Sequence, residues 1–598
     1  VWTETGAVME AEKSEMLTQV WLGRVAAPER IQLTFGEKSA AQPSWSPDGK
    51  FVYFLRGQIH RIAIDGGDAE SVTAFKGTIA SFQLSPDGKS IAFTGRETDA
   101  DLERAKREKR DFKVIDENSP NASLYIVTQK TARKIAAGPW HVTTFDWSPD
   151  SQRIAFDTQP TAGPNDAPVS DLIEVDVESG KTKVIANTPG SESSPRYSSD
   201  GRYLAFLHVP GHSGRLLKGT RIALLHRANG SIRNLPPSFD ESPALLNWSK
   251  DNAKIYFQES RGTRTVVYAA PLDGPVETVY APAGILNATL NRAGTHFGFA
   301  SHSSGEPAEA YVLPLVANTP FKISAANTAI PKIGIAETRL IQWKAKDGKQ
   351  IEGLLTLPLN YQAGKAYPMI LNIHGGPAGA FNEGFIGAPS PYPLAAFAEN
   401  GYAILRPNPR GSSAYGHSFR IANRKDWGGA DYHDIMAGVD EVIRQGIADP
   451  QRLAVMGWSY GGYMTNWVIT QNNRFKCAVT GAGISNMPSM WGTNDIPGLL
   501  DEYFSGAWYD QPELYAKLSP IYHVKNVTTP TLFLHGEADT RVPITQAYEM
   551  HSALERLGIK TEMVVYPRTQ HGVTEPKFLQ DVMQRHFDWV EKFIGAPR

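Results

Sequence analysis

Cysteine is almost missing from this chain: its 598 residues include one, Cys477. That excludes an intramolecular disulfide and a cysteine metal cluster. Excess charge is missing too. The 60 lysines and arginines face 62 aspartates and glutamates, a formal charge of −2. This balance gives no basis for nucleic acid or an anionic membrane as partner. Long apolar runs are also absent. The longest, such as "MILNI" at 369–373, are strand-sized, so no transmembrane helix is expected. The opening "VWTETGAVME" has neither an initiator methionine nor a signal peptide. The expectation is a mature or trimmed form whose targeting segment is out of sight. The scarcity of cysteine fits a bacterial cytoplasm and leaves a periplasm open.

What remains is a globular mix, 41% hydrophobic and 20% charged, in a chain too long for one ordinary core. Two or more domains are expected, and oligomeric state is left open.

The first half repeats a phrase. It reads "PSWSPDGKFVYFL" at 43–55, "FQLSPDGKSIAFTG" at 82–95 and "FDWSPDSQRIAFD" at 145–157. Looser copies are "PRYSSDGRYLAFL" at 195–207, "LNWSKDNAKIYFQ" at 246–258 and "ATLNRAGTHFGFA" at 288–300. Each copy is an aromatic residue or leucine, a tight turn, then an apolar strand. Pro47, Asp48 and Gly49 suit successive turn positions, because proline fixes φ and glycine accepts a left-handed exit. A period near 40–50 residues with several strands per unit indicates propeller blades. Residues 2–35 read as the tail of one more. The expectation is seven blades, the first lacking a strand or two, with an eight-bladed ring as the alternative. One insertion, residues 96–120, is highly charged and partly helix-like, which suits a solvated excursion.

After about residue 331 the phrase stops. A hairpin region at 339–358 is followed by strands alternating with helical stretches, the pattern of a doubly wound α/β sheet. Strands are expected at 368–373, 402–407, 452–457, 531–536 and 561–567. Helices are expected at 434–446 and 578–594.

Within this half, "GWSYGGYM" at 457–464 holds Gly457-Trp458-Ser459-Tyr460-Gly461. The pentapeptide is too short to decide anything alone. Here, however, a strand runs straight into Ser459 and a plausible helix follows. That context suits a nucleophile elbow, with Gly457, Gly461 and Gly462 permitting the sharp turn. A serine nucleophile needs a base, and the base needs an orienting acid. In this fold they should follow in the order Ser, Asp or Glu, His, in loops just after strands. Asp539 in "HGEADTRVP" and His571 in "YPRTQHG" satisfy this. Glu537 is the rival acid, whereas His535 and His523 precede Asp539 and break the order. The oxyanion needs donors. The N–H of Tyr460 is one, and the N–H of Gly376 in "LNIHGGPAGA" is the favoured second.

Together "GWSYGGYM", "HGGP", "NPRGSSAYG", "HGEADTRVP" and "YPRTQHG", after a propeller, resemble the prolyl oligopeptidase family of serine peptidases. The "HGGP" form is most like its acylaminoacyl-peptidase and bacterial dipeptidyl-peptidase branch. No tyrosine stands at or near His374, so the backbone version of the oxyanion donor is the one carried over. The resemblance implies an N-terminal β-propeller, placed at 1–325, that gates a C-terminal α/β-hydrolase domain, placed at 326–598. It also implies short peptide substrates, an acyl-enzyme, and no metal or organic cofactor. By the same resemblance Tyr463, Met487, Met490 and Trp491 line an apolar specificity pocket, with ordinary packing as the rival reading. Arg410 either holds a substrate carbonyl or braces its loop. The substrate ammonium anchor has no clear counterpart; Glu97, Asp111, Asp116 and Glu117 are the candidates. A carboxylesterase, or a binding scaffold built on the propeller, remains as an alternative function.

Overall fold

The computed structural model describes residues 1–595 apart from 26, 113, 115–120, 129, 137, 212–216, 318, 329 and 331–333. Among these residues the first half forms seven antiparallel sheets in succession. The first has three strands, Trp2–Met9, Ser14–Arg24 and Ala27–Gln32; each of the other six has four, paired in chain order. The protein is therefore a seven-bladed propeller whose opening blade is one strand short, and the eight-bladed alternative falls.

The apolar strands inside each phrase follow from stacking. Successive strand residues face opposite sides of a sheet. In a blade both sides meet a neighbouring blade. Leu204 and Phe206 of the fifth sheet share a core with Ala155 and Leu172 of the fourth. Ala205, between them, shares one with Trp248, Ile255 and Phe257 of the sixth. Burial on both faces yields a near-continuous apolar run rather than alternation. The ring closes where Gly23 of the first blade meets Ile323, just past the last strand of the seventh; a Cβ on Gly23 would lie 3.0 Å from the Ile323 carbonyl oxygen.

The recurring turn has a further part that its proline and glycine do not announce. Ser46 Oγ donates to Asp48 Oδ1 at 2.6 Å and accepts from the Phe51 N–H at 2.9 Å. The same serine–aspartate bond recurs at Ser85–Asp87, Ser148–Asp150, Ser198–Asp200 and Ser249–Asp251. The 96–120 excursion carries the helix Ala100–Arg107, capped by the Asp99 side chain and with no buried residue. Its residues 115–120 lie outside the described residues.

The second half is an eight-stranded sheet. In chain order its strands are β1 Thr338–Lys344, β2 Gln350–Thr356, β3 Tyr367–Ile373, β4 Ala403–Asn408, β5 Ala448–Trp458, β6 Cys477–Gly481, β7 Thr531–Gly536 and β8 Thr561–Tyr566. Their spatial order is β1-β2-β4-β3-β5-β6-β7-β8. The first two pairings, β1 with β2 and β2 with β4, are antiparallel and the remainder parallel. Strand β6 was not among the expected ones: "CAVTG" is short and carries no turn signal. The sheet divides the core in two. Leu371 and Val455 pack on one side, Ile370 and Ala454 on the other. Cys477 is buried in the second core, where burial pushes its thiol up and keeps it protonated. No helix among the described residues is long and apolar enough to cross a membrane.

Candidate active site

Ser459 joins the end of β5 to the helix Tyr460–Gln471 with φ 63° and ψ −123°, a strained backbone for a non-glycine residue. The neighbouring glycines make this turn fit. A Cβ on Gly457 would meet Gly461 O at 2.3 Å, one on Gly461 would meet Ile373 O at 2.1 Å, and one on Gly462 would meet Gly481 O at 2.5 Å.

The structure brings Ser459, His571 and Asp539 together. His571 Nε2 lies 2.9 Å from Ser459 Oγ, and His571 Nδ1 lies 2.8 Å from Asp539 Oδ2. A carboxylate only accepts, so Nδ1–H donates to Asp539 and Nε2 is free to accept from the serine hydroxyl. All three residues come from loops at the carboxyl ends of β5, β7 and β8, where open α/β sheets place their ligands. Trp458 Nε1 donates to the His571 carbonyl at 2.8 Å and ties the histidine loop to the elbow. Burial alone would raise the Asp539 carboxyl. The His535 imidazole 3.5 Å away, with hydrogen bonds from His571 and the Val542 N–H, outweighs that and holds it well below the usual carboxylate range. Glu537, the rival acid, is exposed. His535 is buried with Nε2 on the Val542 carbonyl, and His523 Nε2 sits on the Lys517 carbonyl.

Tyr460 opens its helix, so its N–H has no carbonyl within that helix to bond. Gly375 lies against the nucleophile: a Cβ there would sit 3.4 Å from Ser459 Cβ. Gly376 follows with φ +134°, and a Cβ on it would meet Gly379 N at 2.3 Å. His374 is buried between Gly375 O, 2.8 Å from Nδ1, and Ser412 Oγ, 2.9 Å from Nε2. Burial pushes this imidazole down to about 4, so it is neutral near pH 7.

For five residues the sequence left two readings open, and the structure bears on each. The Arg410 guanidinium is taken up by two carboxylates, with Nε and Nη2 on Asp434 at 2.8 and 2.7 Å and Nη1 on Asp347 at 2.8 Å. It braces the loop, with four of its five N–H donors taken up by these carboxylates. Tyr463 is fully buried, its hydroxyl donating to the Leu518 carbonyl at 3.0 Å. Met487 and Met490 belong to the same core. Trp491 packs against that core and donates through Nε1 to Asp501 at 2.7 Å. Tyr463, Met487 and Met490 fill the core, and Trp491 lies half-buried at its edge. Of the ammonium candidates, Glu97 and Asp111 are exposed on the propeller insertion, and Asp116 and Glu117 lie outside the described residues.

One residue escaped the sequence reading. The Tyr460 hydroxyl donates to Asp431, a fully buried acid in the first turn of the helix Ala430–Arg444. Burial pushes the Asp431 carboxyl up to about 7. In the sequence it is one of several acids along that helix, and nothing marks it as facing inward.

The sequence model of the prolyl oligopeptidase family matches residues 390–597, and that of the acylaminoacyl-peptidase N-terminal β-propeller domain matches 26–214. The "HGGP" turn at 374–377 falls outside both. An uncharacterized peptidase of Bacillus subtilis, YuxL, is 31% identical over 94% of this chain and 91% of its own. Dipeptidyl-peptidase 5 of Porphyromonas gingivalis is 25% identical over 94% of this chain and 88% of its own. The solved acylaminoacyl peptidase of Pyrococcus horikoshii superposes with a TM-score of 0.83 at 22% identity, covering 99% of this chain and 94% of that one. At that identity the likeness concerns the fold.

Proposed function

This chain belongs to the prolyl oligopeptidase family and is a serine peptidase; on that premise we propose that it shortens peptides from their N-termini, as a dipeptidyl peptidase or an acylaminoacyl peptidase, with Ser459, His571 and Asp539 as the triad. The domain boundary is drawn near residue 325. The observation that carries the reading is the relay from Asp539 through His571 to Ser459, at 2.8 and 2.9 Å, on a strained elbow.

In this mechanism Ser459 Oγ attacks the scissile carbonyl carbon while His571 Nε2 takes the hydroxyl proton. Asp539 keeps the imidazole in the right tautomer and stabilises the imidazolium. The N–H groups of Tyr460 and Gly376 receive the negative charge that develops on the carbonyl oxygen. His571 gives its proton to the leaving amine, and the acyl group stays on Ser459. Water then repeats the sequence and frees the enzyme. The names of the relatives support exopeptidase action, since they include a dipeptidyl-peptidase 5 and an acylaminoacyl peptidase.

The test is a mass-spectrometric digest of one peptide set, each peptide present with a free and with an acetylated N-terminus, and with Ser459→Ala as control. Stepwise loss of dipeptides from free N-termini identifies a dipeptidyl peptidase. Release of single acetylated residues identifies an acylaminoacyl peptidase. Internal cuts in both sets overturn the exopeptidase reading, and no cleavage by the native chain shifts the weight to an esterase.

A further inference from the structure

The propeller touches the hydrolase half at several places, among them Asn165 on the Asp495 carbonyl and Ser14 on the Lys577 N–H; one of these contacts bears on the loops that carry the oxyanion donors. Those loops are residues 374–385, which follow β3, and residues 408–416, which follow β4. They are laced into one body. Asn408 Oδ1 accepts from Phe381 N at 2.7 Å, and Asn408 Nδ2 donates to Phe381 O at 2.9 Å. Ser413 N donates to Gly379 O at 3.1 Å. The Ser412 hydroxyl lies between His374 Nε2 at 2.9 Å and the Pro409 carbonyl at 2.7 Å. Through His374 this body holds Gly375 and Gly376 against Ser459.

Blade six grips the same body. Asp240, on the linker into that blade, is 2% exposed. Its Oδ1 accepts from Gly416 N at 2.9 Å, and its Oδ2 accepts from Arg420 Nη1 at 3.1 Å. Its own carbonyl also accepts from Arg420 Nη1, at 2.9 Å. Arg420 is itself 7% exposed, so this is a buried ion pair across the domain boundary. Asp240 is fixed from behind by Glu259, which accepts from the Asp240 and Ser242 N–H groups at 3.1 and 2.8 Å. The neighbouring turn adds Gly262 N to Ala414 O at 2.7 Å and the Thr263 hydroxyl to Glu383 at 2.7 Å. A buried ion pair is a costly way to gain stability but a good way to fix one arrangement.

We propose that Asp240 is a positioning residue for the acyl-transfer step, acting through Gly416, the 408–416 loop, Ser412 and His374 on the Gly375–Gly376 oxyanion donor. The propeller is then part of the catalytic geometry and not only a gate. This rests on the proposed triad mechanism. It assigns a propeller residue to the step at which negative charge appears on the substrate oxygen. Nothing in it concerns peptide selection, so it applies equally to a substrate too small to be gated.

The test uses the full chain with a small aryl ester and its thionoester counterpart. An oxyanion hole set for oxygen handles a developing sulfur anion poorly, so the ester-to-thionoester ratio of kcat reads its geometry. Asp240→Ala is expected to lower kcat on the ester by about 10-fold or more with KM nearly unchanged, since misplacement of one donor by about 1 Å is enough. The ester-to-thionoester ratio should fall with it. Asp240→Asn keeps the Oδ1 acceptor for Gly416 and loses the side-chain bond to Arg420, which retains the Asp240 carbonyl, so its loss should be smaller. It serves as the test variant if Asp240→Ala does not fold. Ser412→Ala should lower the same ratio, and the double variant should lose little more than the worse single one, because both act through one chain of contacts. Wild-type kcat and an unchanged ratio in the folded Asp240 variants overturn the inference while leaving the triad standing. Turnover by Ser459→Ala instead overturns the mechanism beneath it.

Discussion

The propeller and the hydrolase half both bury short apolar strands, yet the two use them differently. In the propeller a strand such as Tyr203–Pro210 gives one face to each of two inter-blade cores, and six sheets repeat that arrangement with interchangeable parts. In the hydrolase one sheet divides one core, and the strands differ by what stands at their carboxyl ends: Ser459 after β5, Asp539 after β7 and His571 after β8. Repetition spreads stability over many equivalent contacts, whereas the proposed chemistry rests on three loops with no substitute. Single changes in the two halves should therefore differ in kind and in size.

The sharpest contrast comes from Ser459→Ala, which is expected to remove turnover by about 10⁴-fold or more while leaving the melting temperature within a few degrees. Steady-state kinetics and a thermal scan on the same preparation check both halves of that statement, and near-native turnover would remove Ser459 from the mechanism. Phe206→Ala is expected to do the reverse. It empties part of the core shared by the fourth and fifth blades and should cost about 3–5 kcal/mol. A denaturant titration reads the loss; a midpoint equal to wild type would mean that the blades do not rely on this shared core.

The two halves were also legible in the sequence for different reasons. The propeller showed through recurrence: six copies of one turn outweigh the ambiguity of any single copy. That Ser459, His571 and Asp539 come together was readable because each sits just past a recognisable strand. Asp431 and Asp240 were not, since each is important only for what a distant segment brings against it. Asp431 meets the Tyr460 hydroxyl from 29 positions away, and Asp240 meets the Gly416 N–H from 176 positions away. For Arg410, Tyr463, Met487, Met490 and Trp491 the sequence left two readings open. Residue type suits a pocket and a core alike, and only burial and used-up hydrogen bonds separate the two.

Asp431 gives a pH dependence confined to the hydrolase half. Its carboxyl is pushed up to about 7 in the folded chain, above its unfolded value. Asp426 stands nearby and raises it further, while Tyr460, the Tyr432 N–H and Asn423 donate to it. A raised carboxyl favours folding while it is protonated. That contribution is fully present below the unfolded value and is lost as pH rises through about 7. Asp431→Asn mimics the protonated state. Its melting temperature relative to wild type should therefore rise between pH 5 and pH 8. A relative melting temperature that falls over that range would mean that the carboxylate form is the one the fold prefers.

The smallest effect belongs to the part that is repeated most. Asp48→Ala removes the acceptor of the Ser46 hydroxyl and of the Lys50 N–H in one turn of the second blade. Lys50 is exposed and its N–H can turn to water, whereas Ser46 is buried and its hydroxyl loses its partner there, so the cost should be about 1–2 kcal/mol. The strands flanking that turn remain fixed by the cores they share with both neighbouring blades, so activity should not change. Equal losses at Asp87, Asp150, Asp200 and Asp251 would show that the turns are equivalent units. A loss at Asp48 as large as that of Phe206→Ala would show instead that the serine–aspartate bond, and not the inter-blade core, sets the stability of a blade.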